Sequence, residues 1–261
     1  MDAIVIAGGI PEPGDPLYEY TQGQPKALLD IAGKPMVQWV LDALSGAKTI
    51  DQVVLIGLPE DSGLECSKRL TFVPNQGGML QNVRAGMEKV LELSPQTRHV
   101  LAISSDIPAI EAEMVDWMVN ENAGTDLDLY YTVIPRQVME SRFPNSNRSY
   151  TRLKNAEVCG GDINMIRAHT VRTNDELWDR IIAARKSVFK QAALLGYGNL
   201  ILLLSRQLTI EGAVKRVTKR MDITGKAVFS PYAEVGMDVD KPHQLEILRA
   251  DLERKKKARE V

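Results

Sequence analysis

The sequence predicts an α/β fold, a single domain whose mostly parallel central sheet lies between helical layers. Ala3 to Ala7, Val53 to Gly57 and Val100 to Ile103 are short apolar runs rich in β-branched residues, the pattern of parallel strands buried on both faces. Helical patterns separate them, and that alternation builds a Rossmann-like sheet. The 261 residues, 44% of them hydrophobic, suffice for a sizeable core.

The elements follow in order. Between the first two strands Met36, Trp39, Val40, Ala43 and Leu44 recur at helical spacing, with Gln38, Asp42 and Ser45 on the other face. This amphipathic helix starts near Pro35, a residue suited to a first turn. A second helix begins just after Gly77-Gly78, keeps Leu80, Val83, Met87, Val90 and Leu91 on one stripe, and stops at Ser94-Pro95. Asp106-Ile107-Pro108 ends the third strand and opens a helix around Ala112 to Val119. Leu129 to Ile134 reads as a strand and Glu157 to Ile166 as another, separated by a polar stretch rich in Ser, Asn and Arg. From Asn174 to Arg220 the chain is mostly helical by pattern, then a short strand lies near Ala227 to Phe229. Glu234 to Val239 looks strand-like, and after Pro242 the spacing of Leu245, Leu248 and Leu252 marks a C-terminal helix. With no repeat or clear linker, 1–261 is read as one domain carrying a mainly helical insertion at 170–225, suited to acceptor specificity or an oligomer contact such as a homodimer.

Composition excludes several classes. A net charge of -2 gives bulk electrostatics no hold on nucleic acid. The N-terminal apolar run is too short for a signal peptide, and no stretch approaches a membrane span. Cys66 and Cys159 are the only cysteines, with no partners at metal-ligand spacing, so both are read as small buried hydrophobes in a reducing cytoplasm. His99, His169 and His243 have no Ser or Cys partner set for nucleophilic catalysis.

Chemistry concentrates in five segments. Ile6-Ala7-Gly8-Gly9 follows a buried strand and leads to Gln24-Pro25-Lys26. Glycines there let backbone N–H groups approach a triphosphate, and a lysine supplies positive charge; alone, Ala-Gly-Gly reads better as a plain tight turn. Asn75-Gln76-Gly77-Gly78 stands at a helix start, where amides can read a base edge or simply cap the helix. Ser104-Ser105-Asp106-Ile107-Pro108 lies at the C-terminal end of a strand, the end that faces the ligand crevice in open parallel sheets. Without context, that Asp is a helix cap. Met237-Asp238-Val239-Asp240 precedes the last helix, and strand alternation would send both aspartates to one face. Gly160-Gly161-Asp162-Ile163-Asn164 is either a β-bulge or a cleft lining.

Residues 6 to 36, IAGG followed by QPKALLDIAGKPM, resemble the N-terminal signature of nucleotidyltransferases with a glycosyltransferase-A-like fold. That superfamily includes enzymes that make sugar nucleotides, activate sugar acids with CTP, or attach nucleotides to molybdenum cofactor, and the molybdenum-cofactor and cytidylyltransferase types are nearest. The resemblance implies a mixed α/β/α sandwich. It also implies a nucleotide site of Ala7, Gly8, Gly9, Lys26, Gln76, Gly77, Gly78 and Asn82, with Lys26 on the phosphates. Asp106 and Asp240 become Mg²⁺ ligands and, with Lys26, the catalytic set, while Asp162 and Asn164 face the acceptor. Asp238 is an understudy for Asp240. The pattern departs from the family at one point: no basic residue lies between the glycines and Lys26, where most members carry an Arg, and Arg84 is a distant substitute.

The reading is a Mg²⁺-dependent transfer of an NMP unit from an NTP to a small phosphorylated acceptor, with pyrophosphate released. Two alternatives stand beside it. A glycosyltransferase of the same fold would use a nucleotide-sugar donor, against which the Pro-Lys segment argues, and an inactive nucleotide-binding regulatory module would account for the missing Arg.

Overall fold

The computed structural model describes residues 1–173 and 208–259. Its centre is four parallel strands, β1 (Asp2–Ile6), β2 (Gln52–Ile56), β3 (Arg69–Val73) and β4 (His99–Ser104), in the order β3-β2-β1-β4. Helices α1 (Met36–Gly46), α2 (Met79–Leu93) and α3 (Ala112–Asn120) lie between or after them. Side chains alternate across the sheet. Ala3, Val5, Val53, Leu55, Leu101 and Ile103 face one core, while Ile4, Val54, Ile56, Val100 and Ala102 face another. Burial on both faces is what the unbroken apolar runs require.

The first core receives Val37, Val40, Leu41 and Leu44 of α1 and Met114, Val115 and Met118 of α3. The second receives Val83, Met87, Val90 and Leu91 of α2. Each helix therefore buries one stripe against one face of the sheet, the arrangement of a three-layer sandwich.

Beyond β4 the sheet turns antiparallel. After β5 (Leu129–Pro135) come α4 (Arg136–Arg142), β6 (Thr151–Arg152), β7 (Glu157–Gly160) and β8 (Ile163–Arg167). β8 pairs with both β4 and the start of β5, and β7 with the end of β5. Residues 157–166, expected as one strand, break at Gly161-Asp162. Gly161 N donates to Thr132 O and Asp162 N to Val235 O, so the chain leaves the ladder there and rejoins it. Helix α5 (Ile210–Met221) leads to β9 (Gly225–Phe229), which pairs parallel with the free side of β5. The expected helix from Asn174 lies outside the described residues over 174–207.

The final helix α6 (Pro242–Arg259) buries Leu245, Leu248 and Leu252 in the first core. The segment before it corrects the sequence expectation: Glu234 to Val239 forms no strand. Glu234–Gly236 is a single 3₁₀ turn, and Val235, Met237 and Val239 are anchors buried in the core. Every second residue is apolar, which reads as a strand, but the whole run Ala233–Val239 is buried and no described strand pairs with it.

Candidate active site

The crevice forms at the C-terminal ends of β1 and β4. At the end of β1, Ala7 N donates to Ile56 O (2.8 Å), which carries the chain straight off the sheet into the glycine loop. Here the backbones of Gly8 and Gly57 nearly touch: a Cβ on Gly57, whose φ is +107°, would lie 2.3 Å from Gly8 Cα. Gly8 is equally confined on its other side, because its own Cβ would meet Asn82 Nδ2 at 2.5 Å and the Asn75 side chain at 2.9 Å. A side chain at either glycine would push the loop out of place.

Lys26 enters from a short 3₁₀ turn, Lys26–Leu28, and its N–H donates to Gly9 O (2.9 Å), pinning the two segments together. Its ammonium reaches Asp106 Oδ2 at 2.5 Å and Asp240 Oδ1 at 2.9 Å. Burial alone would lower the lysine pKa, but Asp106 and Asp240 outweigh it and hold the group well above its ordinary value. The first and last thirds of the chain thus meet at one cation.

Asp106 is held in turn by the Ser104 hydroxyl, which donates to Oδ1 (2.5 Å), while its carbonyl accepts from Val239 N (3.0 Å). Gln244 Oε1 accepts from Asp240 N (3.0 Å), which positions the second carboxylate at the start of α6. Side-chain exposure differs sharply, 13% for Asp106 and 57% for Asp240. One is a fixed wall and the other stands at the mouth.

The strand break places Asp162 beside this pair, with its carbonyl accepting from Ser104 N (2.9 Å). Its Oδ2 is buried without a hydrogen-bond partner. Burial, then the nearby Asp106 charge, pushes its pKa up to about 7. Asn164, expected to face the acceptor with it, has its amide engaged in the fold: Oδ1 accepts from Thr132 N (2.9 Å) and Nδ2 donates to Gly161 O (3.2 Å). It bridges the strand break.

Asp238 is no understudy. It turns inward and pairs with Arg148, both side chains nearly buried, because without a strand no alternation carries it to the face of Asp240. Arg148 sits in the polar stretch before β6, where no periodicity marked it out.

The second segment is organised by Asn82, 2% exposed and the hub of the Asn75-to-Gly78 loop. Its Oδ1 accepts from Gln76 N (2.7 Å) and its Nδ2 donates to Asn75 Oδ1 (3.1 Å), while Asn75 Nδ2 donates to Gly8 O (2.8 Å). Gly77 carries a positive φ of +81°, and Gly78 is extended. The Gln76 side chain donates to Pro74 O. Arg84 lies in α2 and pairs with Glu88 at 3.1 Å. Cys159 is buried as expected, whereas Cys66 is half-buried beside Ser45.

Mg²⁺ fits this crevice on one observation: two carboxylates from distant parts of the chain already share a single cationic group. Among the described residues no set of three or more His, Cys, Asp or Glu forms a metal cage. Two carboxylates plus substrate oxygens is the ligand set magnesium prefers. No helix among the described residues is long and apolar enough to cross a membrane.

Residues 3–172 match the family described as the MobA-like NTP transferase domain. Among solved structures, a hypothetical transferase from Thermus thermophilus is 32% identical with a TM-score of 0.80, covering 94% of this chain and 98% of that one. CMP:2-keto-3-deoxy-manno-octonic acid synthetase complexed with CTP is 16% identical (TM-score 0.57), with 97% and 99% of the two chains covered. The 4-diphosphocytidyl-2C-methyl-D-erythritol synthase of Anaerococcus prevotii is 12% identical (TM-score 0.57), covering 97% and 98%. At these lower identities the likeness is one of fold. No curated protein matches the sequence.

Proposed function

The chain belongs to the MobA-like NTP transferase family and is a nucleotidyltransferase, and from that premise we propose that it transfers an NMP unit from an NTP to a small phosphorylated acceptor. The observation that carries this reading is the Lys26 ammonium held between Asp106 and Asp240 beside the glycine loop. An acceptor phosphate oxygen attacks the α-phosphorus in line, a new P–O bond forms, and the bond to the β-phosphate breaks with its electron pair leaving on pyrophosphate. The attacking oxygen is already ionised near neutral pH, so no histidine base is needed.

The backbone N–H groups of Gly8 and Gly9 receive the phosphates, and Lys26 leaves its carboxylates to neutralise charge developing on them. Asp106 and Asp240 would hold Mg²⁺, which when bound supplies charge neutralisation and a template for the triphosphate. Asn82 acts through the loop it organises, so Gln76, Gly77 and Gly78 are held ready for the nucleoside. Asp162 borders the acceptor side. No basic residue lies between the glycines and Lys26, so Lys26 carries more of the load that an Arg and a Lys share in most members.

The test is pyrophosphate release from each of the four NTPs against a panel of sugar, alcohol and sugar-acid phosphates, with product masses identifying both substrates. Release that requires one NTP and one acceptor together supports the reading. NTP binding with no release across the panel favours a regulatory module.

A further inference from the structure

A cavity of about 310 Å³ runs from the crevice between α2 and the far end of the sheet. That is the low end of the range for small-ligand sites. Its walls are apolar: Leu80 and Val83 of α2, Ile166 of β8, and Met221 and Ile223 beyond α5. Polar groups gather at its two ends. At the far end Asp128 is occupied by Arg167 Nε (2.6 Å) and by the backbone and hydroxyl of Thr224 (both 2.7 Å). At the near end are Ser104 and Asp162, the first bonded to Asp106 and the second carrying the buried, unpartnered Oδ2.

Two large apolar side chains, Met79 and Tyr131, stand exposed at 53% and 45% and line this cavity. Among the described lining residues Asn164 and Thr170 are already bonded within the fold, and the Tyr131 hydroxyl stands near the exposed rim, so a sugar phosphate would place most of its hydroxyls against apolar wall, at a cost for each group left without a hydrogen bond. An alkyl body meets the walls directly. A second apolar cavity, of about 530 Å³ behind Tyr131, touches none of Asp106, Asp162 or Asp240. Of the two, the first alone reaches Asp162, at the edge of the crevice.

We propose that this cavity is the acceptor subsite and that the acceptor is a monophosphate with an apolar body, its phosphate projecting past the Ser104–Asp162 end toward the Lys26 ammonium and its hydrocarbon against Leu80, Val83 and Ile223. The proposal rests on the nucleotidyltransfer reading and narrows its acceptor. It assigns α2 two roles: its N-terminal loop serves the nucleotide and its first turns serve the acceptor.

The experiment uses the full chain, Mg²⁺ and ethyl, butyl, hexyl and octyl monophosphate, with glucose 1-phosphate as the polar comparator. Pyrophosphate release is read with each NTP, and binding of the same alkyl phosphates is read by calorimetry without NTP. Each added methylene should raise kcat/KM and affinity about three- to four-fold until the cavity is filled. Leu80→Gln and Ile223→Gln should flatten the series without changing KM for the NTP or the melting temperature. Turnover with glucose 1-phosphate and a flat alkyl series overturns the inference and leaves nucleotidyl transfer standing. A chain-length rise that survives both variants is non-specific partitioning and also overturns it. If no acceptor releases pyrophosphate, the transfer reading fails; calorimetry then decides the cavity alone, and flat binding removes that too.

Discussion

At the scale of single residues, Lys26 joins the most distant parts of the sequence, and its bonds to Asp106 and Asp240 explain both its charge and its position. Lys26→Ala should fold and lose about 10²-fold or more in kcat at saturating NTP, roughly 3 kcal/mol of transition-state stabilisation. Lys34→Ala is the comparator, since that lysine pairs with Asp42 and lies 4.0 Å over the Trp39 ring; steady-state kinetics on both should separate them. Asp162 gives a pH signature. Its folded pKa, about 7, lies above the ordinary carboxylate value, so the folded state binds the extra proton between about pH 4 and pH 7. The stability that this proton contributes is complete at low pH and is lost as pH rises through about 7. Without metal, Asp162→Asn should therefore match the wild type near pH 4 in thermal melts and exceed it above pH 7. An unchanging difference across that range removes the assignment. Lys26 and Asp106 were legible in the sequence because family motifs carry them. Arg148 was not, because a buried ion pair in an aperiodic loop leaves no pattern of spacing.

At the scale of elements, the strands and helices that form the two cores follow hydrophobic periodicity closely, since each buries one face or both against the sheet. The misses fall at the half-buried edge strand β3 (Arg69–Val73), whose burial leaves no continuous apolar run, where apolar residues alternate without a partner strand, as at Val235, Met237 and Val239, and where one run crosses a break, as at Gly161-Asp162. The last two segments border the crevice. The turn that delivers Asp240 is held instead by Arg142, at the end of α4: Nε reaches Glu234 Oε1 at 2.7 Å, and its two terminal nitrogens reach Asp251 of α6 at 2.9 and 2.6 Å. Those carboxylates are nearly buried, at 10% and 7% exposed. Arg142→Met should cost about 2–4 kcal/mol in denaturant unfolding, the buried-pair cost of about 3–5 kcal/mol discounted because the guanidinium is itself partly exposed. A loss below about 1 kcal/mol, the value of a surface pair, shows that packing alone holds the turn. Activity should fall with it, because Asp240 is carried by the same turn and helix.

At the scale of the whole molecule, the parallel half of the sheet supplies the glycine loop and Asp106, the antiparallel half supplies Asp162, and the two halves together with α2 wall the apolar cavity. This division was half visible in the sequence: βαβ alternation marked the parallel half, whereas order among the later strands depends on pairings that no local pattern records. Asp240 closes the crevice because α6 packs Leu245, Leu248 and Leu252 into the first core and so returns the chain's end to its beginning. Asp106→Ala and Asp240→Ala should abolish transfer while still folding; the exposed Asp240 should leave the melt unchanged, whereas Asp106→Ala lowers it modestly, since Lys26 loses its enclosed partner but keeps Asp240. Asp238→Ala should instead melt early, because it leaves Arg148 buried without its partner. The measurement closest to the central claim follows an NTP labelled at its α-phosphate through turnover with the wild type and these three variants, with and without EDTA. The account predicts that the label passes wholly into the acceptor product, that EDTA stops the transfer, and that Asp106→Ala and Asp240→Ala stop it equally. Undiminished turnover in EDTA, or full activity in either of those two variants, would contradict it.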